Sequence, residues 1–328
     1  MIELLRRRAE PLVLAAIILV VIAAGFFGSR LTVYNMTITA LYAMVVISLN
    51  IVLGLAGQVS FAQTSFMAIG GYGSALMSLR LGLDPWLALL LSAVIALLAA
   101  LAIGRPLLRL RGHYLAMATF SLALGTFSFA AAATDWTNGT IGISGIPPLS
   151  IAGFALDGAG SFYVLSWCAC AIAVGIFALL AHSHIGRAWR ALATGQDIAA
   201  TLGIDVPTYK LLAFAIGAVM ASVAGSLYVE FTSFVGPDLY DIGIIINLFL
   251  MLFVGGRGSL VGPILGAGLL TFAPQFLAGL EQYQNLVFFI LLLVLIIVWP
   301  AGLFGRVQDS APLQTILPIR LRRRTGAP

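Results

Sequence analysis

Apolar runs bounded by charged or turn residues recur ten times along the chain, at 12–28, 33–55, 60–79, 86–104, 113–133, 161–181, 210–229, 241–254, 259–279 and 284–300. A helix crossing the hydrocarbon core of a bilayer needs about 20 such residues, so ten spans use about 200 positions and leave about 130 for loops and tails. The expected fold is an all-α polytopic membrane protein of about ten segments, a single transmembrane domain over 1–328 with short loops. Charged residues make up only 9% of the 328 and hydrophobic residues 61%, whereas soluble domains carry about 25% charge. An ordinary soluble enzyme is thereby excluded. The start, Arg6 to Arg8 followed by the run ending near Phe27, has the charged and apolar regions of a signal peptide but no clear small-x-small cleavage site, and reads as an uncleaved first span.

The charges then set a topology. With the N-terminus cytoplasmic, the inside segments hold Arg6, Arg7, Arg8, Arg105, Arg109, Arg111, Arg187, Arg190, Lys210, Arg257, Arg306, Arg320, Arg322, Arg323 and Arg324, and the outside segments hold Arg30 and Arg80. Lys and Arg near span ends determine orientation, so fifteen against two places both termini, including the tail at 306–328, in the cytoplasm. The basic residues sit in loops and termini, which suits anionic lipid headgroups and not nucleic acid. The run at 60–79 fits least well: VSFAQTSFMAIGGYG is too polar and glycine-rich to face lipid, so this segment is expected to be buried or broken.

Much chemistry is missing. Lys210 is the single lysine, and no glycine-rich phosphate cradle precedes it, so the chain is not a P-loop ATPase. Glu230, Asp238 and Asp241 read as solvated charges around one external loop. His113, His182 and His184 stand at span ends without the cysteine or carboxylate that a metal site needs. Cys168 and Cys170, two residues apart on different faces of one helix, read as small buried hydrophobes. No serine-hydrolase elbow or zinc-protease motif occurs. No cofactor or metal is expected on this chain.

Polar and glycine residues inside the apolar runs are the candidate site. Asn50, Gly54 and Gly57 recur at i, i+4 and i+7, one amide and two bare backbone patches on one helical face, and Gln58, Ser60, Gln63, Thr64 and Ser65 follow at once. Such groups must face other helices or a polar cavity. An interhelical hydrogen-bond role and a solute path both remain open, since a glycine-interrupted polar span is a pointer to a transport site. Gly217, Ala221 and Gly225, and Gly262 with Gly266, have the small-xxx-small spacing of close helix packing. The stretch GGRGSLVGPILGAG weakly repeats LAGQVSFAQTSFMAIGG at a shift of 199, matching Gly57 with Gly256, Ser60 with Ser259 and Ala68 with Ala267. The longest internal polar segment, 182–210, places Ala188, Leu192, Ile198 and Ala199 beside Arg187, Arg190 and Asp197, the pattern of a short surface helix interrupted near Gly195 and ended at Gly203.

Several of these motifs, in order, resemble the permeases of ABC importers for leucine, isoleucine and valine: SLNIVLGLAGQVSFAQTSFMAIGGY, RGHYLAMAT, TNGTIGISGIPPL, IGRAWRALATGQDIAATLGIDVPTYKLLAF and GGRGSLVGPILGA. RGHYLAMAT and the YKLLAF segment look like the M-type subunit, whereas LATGQD is closer to the partner H-type. The resemblance implies an ABC-importer permease fold in a bacterial inner membrane, paired with a paralogous permease, two ATPase subunits that bind ATP and Mg, and an extracytoplasmic solute-binding protein. It also implies that the cytoplasmic loop at 182–210 carries a coupling helix, with Gly186, Arg187, Ala188, Arg190, Asp197 and Gly203 as ATPase-coupling candidates. The external stretch from Thr134 to Ser161, with Asp135, Trp136, Asn138 and Asp157, is long enough to meet the binding protein. Related permeases serve urea, amides and aromatic acids. An ATPase-independent carrier or channel is the alternative, and it would require a buried coupling-ion site.

Overall fold

A computed structural model describes residue 14 and residues 17–276 apart from 26, 152–153 and 156–157. The long helices are α1 (Arg30–Leu49), continued by a π-helical turn Asn50–Leu55, then α2 (Gln63–Arg80), α3 (Pro85–Leu107) and α4 (His113–Ala132). A short α5 (Thr134–Thr137) leads into a loop, followed by α6 (Ala159–His182), α7 (His184–Thr194), α8 (Gln196–Thr201), α9 (Val206–Thr232), α10 (Ile242–Gly255) and α11 (Gly262–Phe276). Several of the helices begin at a side-chain cap. Asp84 accepts from the Trp86 amide with Pro85 in the first turn, Asp241 accepts from the Ile244 amide, and Ser183 accepts from the Gly186 amide.

Six helices among the described residues are long and apolar enough to cross a membrane, Arg30–Leu55, Pro85–Leu107, His113–Ala132, Gly160–His182, Val206–Thr232 and Pro237–Gly255. The multispan α-helical reading therefore holds, while the count of ten is not reached. The expected span at 60–79 is the shorter, more polar α2, the expected span at 259–279 contains α11, and those at 12–28 and 284–300 lie wholly or partly outside the described residues. The chain is also not purely helical. Two-residue strands β1 (Ile143–Ser144) and β4 (Phe234–Val235) pair antiparallel, as do β2 (Ser150–Ile151) and β3 (Phe154–Ala155).

Contacts between distant loops sort the helix ends into two sets. At one end the Arg80 guanidinium donates to the Trp136 carbonyl (3.2 Å) and lies 5.5 Å from the Trp136 ring centre, the Trp86 indole donates to the Ser150 carbonyl (2.8 Å), and β1 meets β4. At the other end Arg111 pairs with Asp197 (3.0 Å), and the buried Lys210 Nζ donates to the Leu108 carbonyl (3.1 Å). Arg30 and Arg80 mark the first end, and Arg105, Arg109, Arg111, Arg187, Arg190 and Lys210 the second. The described helix ends thus alternate as the charge pattern required.

The core is built on α1, α2 and α9, which the other helices surround. The outer helices turn large apolar side chains outward, Leu90, Leu98, Ile172 and Leu179 among them, as a helix facing lipid does. Cys170 is buried, but Cys168 sits on the outer face of α6, contrary to the reading of both as buried. Close approach of α2 and α9 follows from glycine. A Cβ on Gly70 would run into the Ser222 carbonyl, and one on Gly225 into the Met67 carbonyl. Above that contact Ser226 donates to the Gly70 carbonyl (3.0 Å) and shares a hydrogen bond with Ser92 of α3 (3.1 Å), a polar tie inside the apolar bundle. A Cβ on Gly217 would meet Val52 and Gln63, one on Gly266 the Met251 carbonyl, and one on Gly262 the Ser259 hydroxyl; Ala221 is fully buried on α9. The five small-residue positions therefore all lie at packed contacts. Gly70→Ala and Gly225→Ala should each cost about 1–3 kcal/mol through overpacking, read as a lower melting temperature of the purified protein. Gly175→Ala, where nothing lies within 4 Å of the new methyl, should not lower it, and equal losses at all three positions would refute this packing account.

Candidate functional site

Past the π-helical turn the backbone leaves the helix and does not re-enter one until Gln63. The turn is closed by wide hydrogen bonds, from the Ala56 amide to the Ile51 carbonyl (3.1 Å) and from the Gln58 amide to the Val52 carbonyl (2.9 Å). Gly57 then adopts φ +66°, a left-handed conformation that glycine enters at little cost. The Phe61 amide donates to Thr119 Oγ1 of α4 (3.1 Å) and the Ala62 amide to the Ser60 hydroxyl (3.3 Å). A π-turn, a left-handed glycine and side-chain acceptors together break what would otherwise be one span.

Asn50 is fully buried and spans the gap to the loop between α10 and α11. Its Oδ1 accepts from the Gly258 amide (2.7 Å) and its Nδ2 donates to the Ser259 carbonyl (2.8 Å). Gly54 allows this clamp, since a Cβ there would strike the Asn50 amide oxygen and the Gly258 nitrogen. That second loop is itself a break: Gly256 has φ +105°, and the Ser259 hydroxyl accepts from the Gly262 amide (2.9 Å) at the start of α11. The weak sequence repeat thus has a structural basis, with Gly57 and Gly256 both at positive φ, Ser60 and Ser259 both accepting from an amide where the next helix begins, and Ala68 and Ala267 both buried.

The remaining candidates divide. Ser65 accepts from Thr126 Oγ1 (3.0 Å), Gln63 packs against Gly217, and Gln58 Nε2 donates to the Lys210 carbonyl (3.3 Å). The Gln58 and Gln63 side-chain carbonyls and the Thr64 hydroxyl are buried without a partner in the described structure. Asn50, Gly54, Gln58, Ser60, Gln63, Thr64 and Ser65 therefore point into the protein, and of the set only Gly57 is exposed. The expected single face of Asn50, Gly54 and Gly57 is also corrected. Asn50 and Gly54 do meet, but Gly57 lies beyond the break, where a Cβ would sit 2.7 Å from Ala193 Cα. Sequence reasoning missed the side chains that cover this site: Phe61 stacks on Phe249 of α10 (4.4 Å between centres, 28°) and meets Phe120 of α4 edge-on (5.6 Å, 75°). A phenylalanine in an apolar run gives no signal of its own, and only the fold brings these three together.

The loop from Ser183 to Lys210 is built as two short helices. Trp189 is fully buried and donates to the Tyr209 carbonyl (2.8 Å), and Arg190 donates to the Ala181 carbonyl (2.7 Å). Gly195 separates α7 from α8, and α8 ends on Gly203 at φ +77° with the Gly203 amide on the Ala200 carbonyl (3.0 Å) and the Ile204 amide on the Ala199 carbonyl (3.1 Å), a Schellman end. Of the coupling candidates, Gly186 and Ala188 face inward and Arg190 is tied down, whereas Arg187, Asp197 and Gly203 are exposed, alongside Ile198 and Leu202. Ala199 is buried while Ile198 is not, so the apolar face of α8 is divided between the protein and the outside.

At the opposite end Glu230 overturns its reading as a loop charge. It is 3% exposed on α9, one turn beyond Ser226, and neither carboxylate oxygen has a hydrogen-bond partner in the described structure. Asp238 is exposed as expected, and Asp241 serves as the α10 cap. Trp136 is exposed beneath Arg80, Asn138 (φ 62°) donates to the Gly142 carbonyl (3.1 Å), and Asp157 lies outside the described residues.

Broken helices clamped to each other inside a bundle of membrane-length helices define a multispan membrane protein of the transport class. A family model described as "Branched-chain amino acid transport system / permease component" matches residues 31–298, and the chain belongs to that family. The high-affinity branched-chain amino acid transport system permease protein LivM of Escherichia coli K12 is 29% identical, covering 93% of this chain and 77% of its own. The LivM of Salmonella typhimurium is 28% identical with the same coverage. LivH of Escherichia coli K12 is 28% identical over 83% of this chain and 94% of its own, so the M-type resemblance extends over more of the chain. No solved structure matches significantly.

Asn50→Leu leaves the Gly258 amide and the Ser259 carbonyl unpartnered, which should cost about 1–3 kcal/mol for each group. Asn50→Asp keeps the acceptor and loses the donor, and should fall between wild type and Asn50→Leu. Thermal unfolding in detergent measures both, and an unchanged midpoint for Asn50→Leu would contradict the clamp.

Proposed function

We propose that this chain is the M-type permease of an ATP-driven importer that moves branched-chain amino acids across a bacterial inner membrane. The observation that carries the reading is the seating of the α7–α8 loop directly on the break after α1, through Gly57 against Ala193, while Gln58 ties the same break to the Lys210 carbonyl in the second turn of α9, where the loop ends. A docking loop that rests on an unwound membrane segment links an external motor to a path without any chemistry in the chain itself. The motor is a pair of ATPase subunits that carry ATP and Mg, and a paralogous permease forms the other wall of the path. An extracytoplasmic solute-binding protein delivers the solute to the end that carries Trp136 and the paired strands. Orientation follows the basic residues: the α7–α8 end is cytoplasmic, both termini lie on that side, and residues 1–328 form one domain of about ten spans with a cytoplasmic tail at 306–328. The binding protein sets the choice among leucine, isoleucine and valine, or among urea, amides and aromatic acids.

The exposed residues of the loop are the docking face. Arg187→Asp and Leu202→Asp, which disturb no buried contact, should weaken ATPase capture by about tenfold, equivalent to about 1.4 kcal/mol, while the permease remains folded and inserted. Co-purification of tagged ATPase subunits and ATP-dependent leucine uptake in proteoliposomes measure this. Full capture and full uptake by both variants would end the coupling assignment.

Glu230 supports a second reading, a carrier driven by an ion gradient, because a buried carboxylate without a partner is the group such a carrier needs. Uptake that runs on an ion gradient without nucleotide and is abolished by Glu230→Gln would favour the carrier. Nucleotide-dependent uptake that survives Glu230→Gln favours the importer.

A further inference from the structure

We propose that Phe61, held between Phe120 and Phe249, is the inner gate of the translocation path, a ring that closes the path on the side of the α7–α8 loop; this deepens the permease reading and rests on it. The position follows from helix length. α2 has 18 residues from Gln63 to Arg80, about 27 Å at about 1.5 Å per residue, against about 30 Å of hydrocarbon. With Arg80 at the far surface, Phe61 lies at the loop-side edge of the apolar layer.

The three rings come from three different elements. Phe120 is on α4, Phe249 on α10 and Phe61 on the unwound segment between them, and all are half-buried, with Phe253 continuing the row outward at 6.2 Å from Phe249. No other element among the described residues joins α4 to α10 by ring contacts. Irregular backbone in a membrane protein is tolerated where it is covered by protein or lines a water-filled cavity. Here Gly57 and Val59 are exposed on the segment while its polar side chains turn inward. What it presents outward is therefore apolar, and an apolar constriction holds back water and ions by dewetting. It is also the surface along which an aliphatic side chain can slide.

The gate is attached to the moving part. Gly57, which packs against Ala193 of α7, precedes Phe61 by four residues, and Gln58, bonded to the Lys210 carbonyl near the start of α9, precedes it by three. On the other side the Phe61 amide is anchored to Thr119 of α4. A shift of the α7–α8 loop therefore acts on the backbone that carries the ring, while α4 supplies the fixed side. Ring contacts at 4.4 and 5.6 Å cannot both persist if the segment moves relative to α10.

The test uses the complete importer, reconstituted with its partner permease and ATPases, with Cys168→Ala and Cys170→Ala removing the native thiols. Phe61→Cys on this background is labelled with a charged, membrane-impermeant methanethiosulfonate applied from the ATPase side, without nucleotide and with ATP plus vanadate. A gate that is mostly closed in one state gives rates differing by about tenfold or more between the two conditions. In proteoliposomes loaded with radiolabelled leucine, Phe61→Ala should raise nucleotide-independent efflux by about tenfold, and Phe61→Leu, which restores bulk, should raise it less. Equal labelling in both states, no labelling in either, or wild-type efflux from Phe61→Ala would overturn the proposal. If Phe61→Ala fails to assemble, the labelling of Phe61→Cys decides by itself. If the wild-type importer moves no branched-chain amino acid while Phe61→Cys shows nucleotide-dependent labelling, the gate is supported and the solute assignment is overturned.

Discussion

A helix that breaks inside a bilayer releases backbone amides and carbonyls that water cannot reach, and the structure is organised around giving those groups partners. Asn50 does this with a single side chain, accepting from one amide and donating to one carbonyl of the second break. Because each break completes the other, neither can be repaired into a straight helix independently. The glycines around them follow from the same constraint: Gly54 leaves room for the Asn50 amide, and Gly57 supplies the left-handed turn. Close packing of α2 against α9 then seats the returning helix in the centre of the bundle.

The polar ties in the bundle are few and placed where backbones approach most closely. Ser226, Ser92 and the Gly70 carbonyl form one such tie, and Ser65 with Thr126 forms another. In lipid, apolar contact gives little net drive for helix association, so hydrogen bonds and small-residue packing must supply specificity. Glu230 departs from this pattern as a buried acid without a hydrogen-bond partner in the described structure.

How much of this was legible in the sequence depends on range. The apolar runs were readable because length and hydropathy are local, and the alternation of ends was readable because charge is counted one loop at a time. The segmentation of the 182–210 loop was also local: Gly195 and Gly203 lie where the helices stop, as their conformational freedom suggested. The inward facing of Gly186 and Ala188 was not legible, because it depends on Trp189 finding the Tyr209 carbonyl. Nor was the role of Asn50, whose partners lie more than 200 positions away. The stretch from Gly57 to Ser65 stands out in the sequence, but its polar groups turn inward, and the ring of Phe61 that packs between Phe120 and Phe249 is a feature polarity cannot flag. Glu230 was misread for a related reason: proximity to a loop in sequence says nothing about how far α9 continues before it emerges.

The contact between Gly57 and Ala193 has a mechanical consequence. It brings bare backbone up against Ala193 with no long side chain between them, so a displacement of the loop toward the break meets steric resistance at once. Repulsion of this kind transmits a push and cannot transmit a pull. Beside it, Gln58 holds the break to the Lys210 carbonyl of α9 by a hydrogen bond, a link that resists separation.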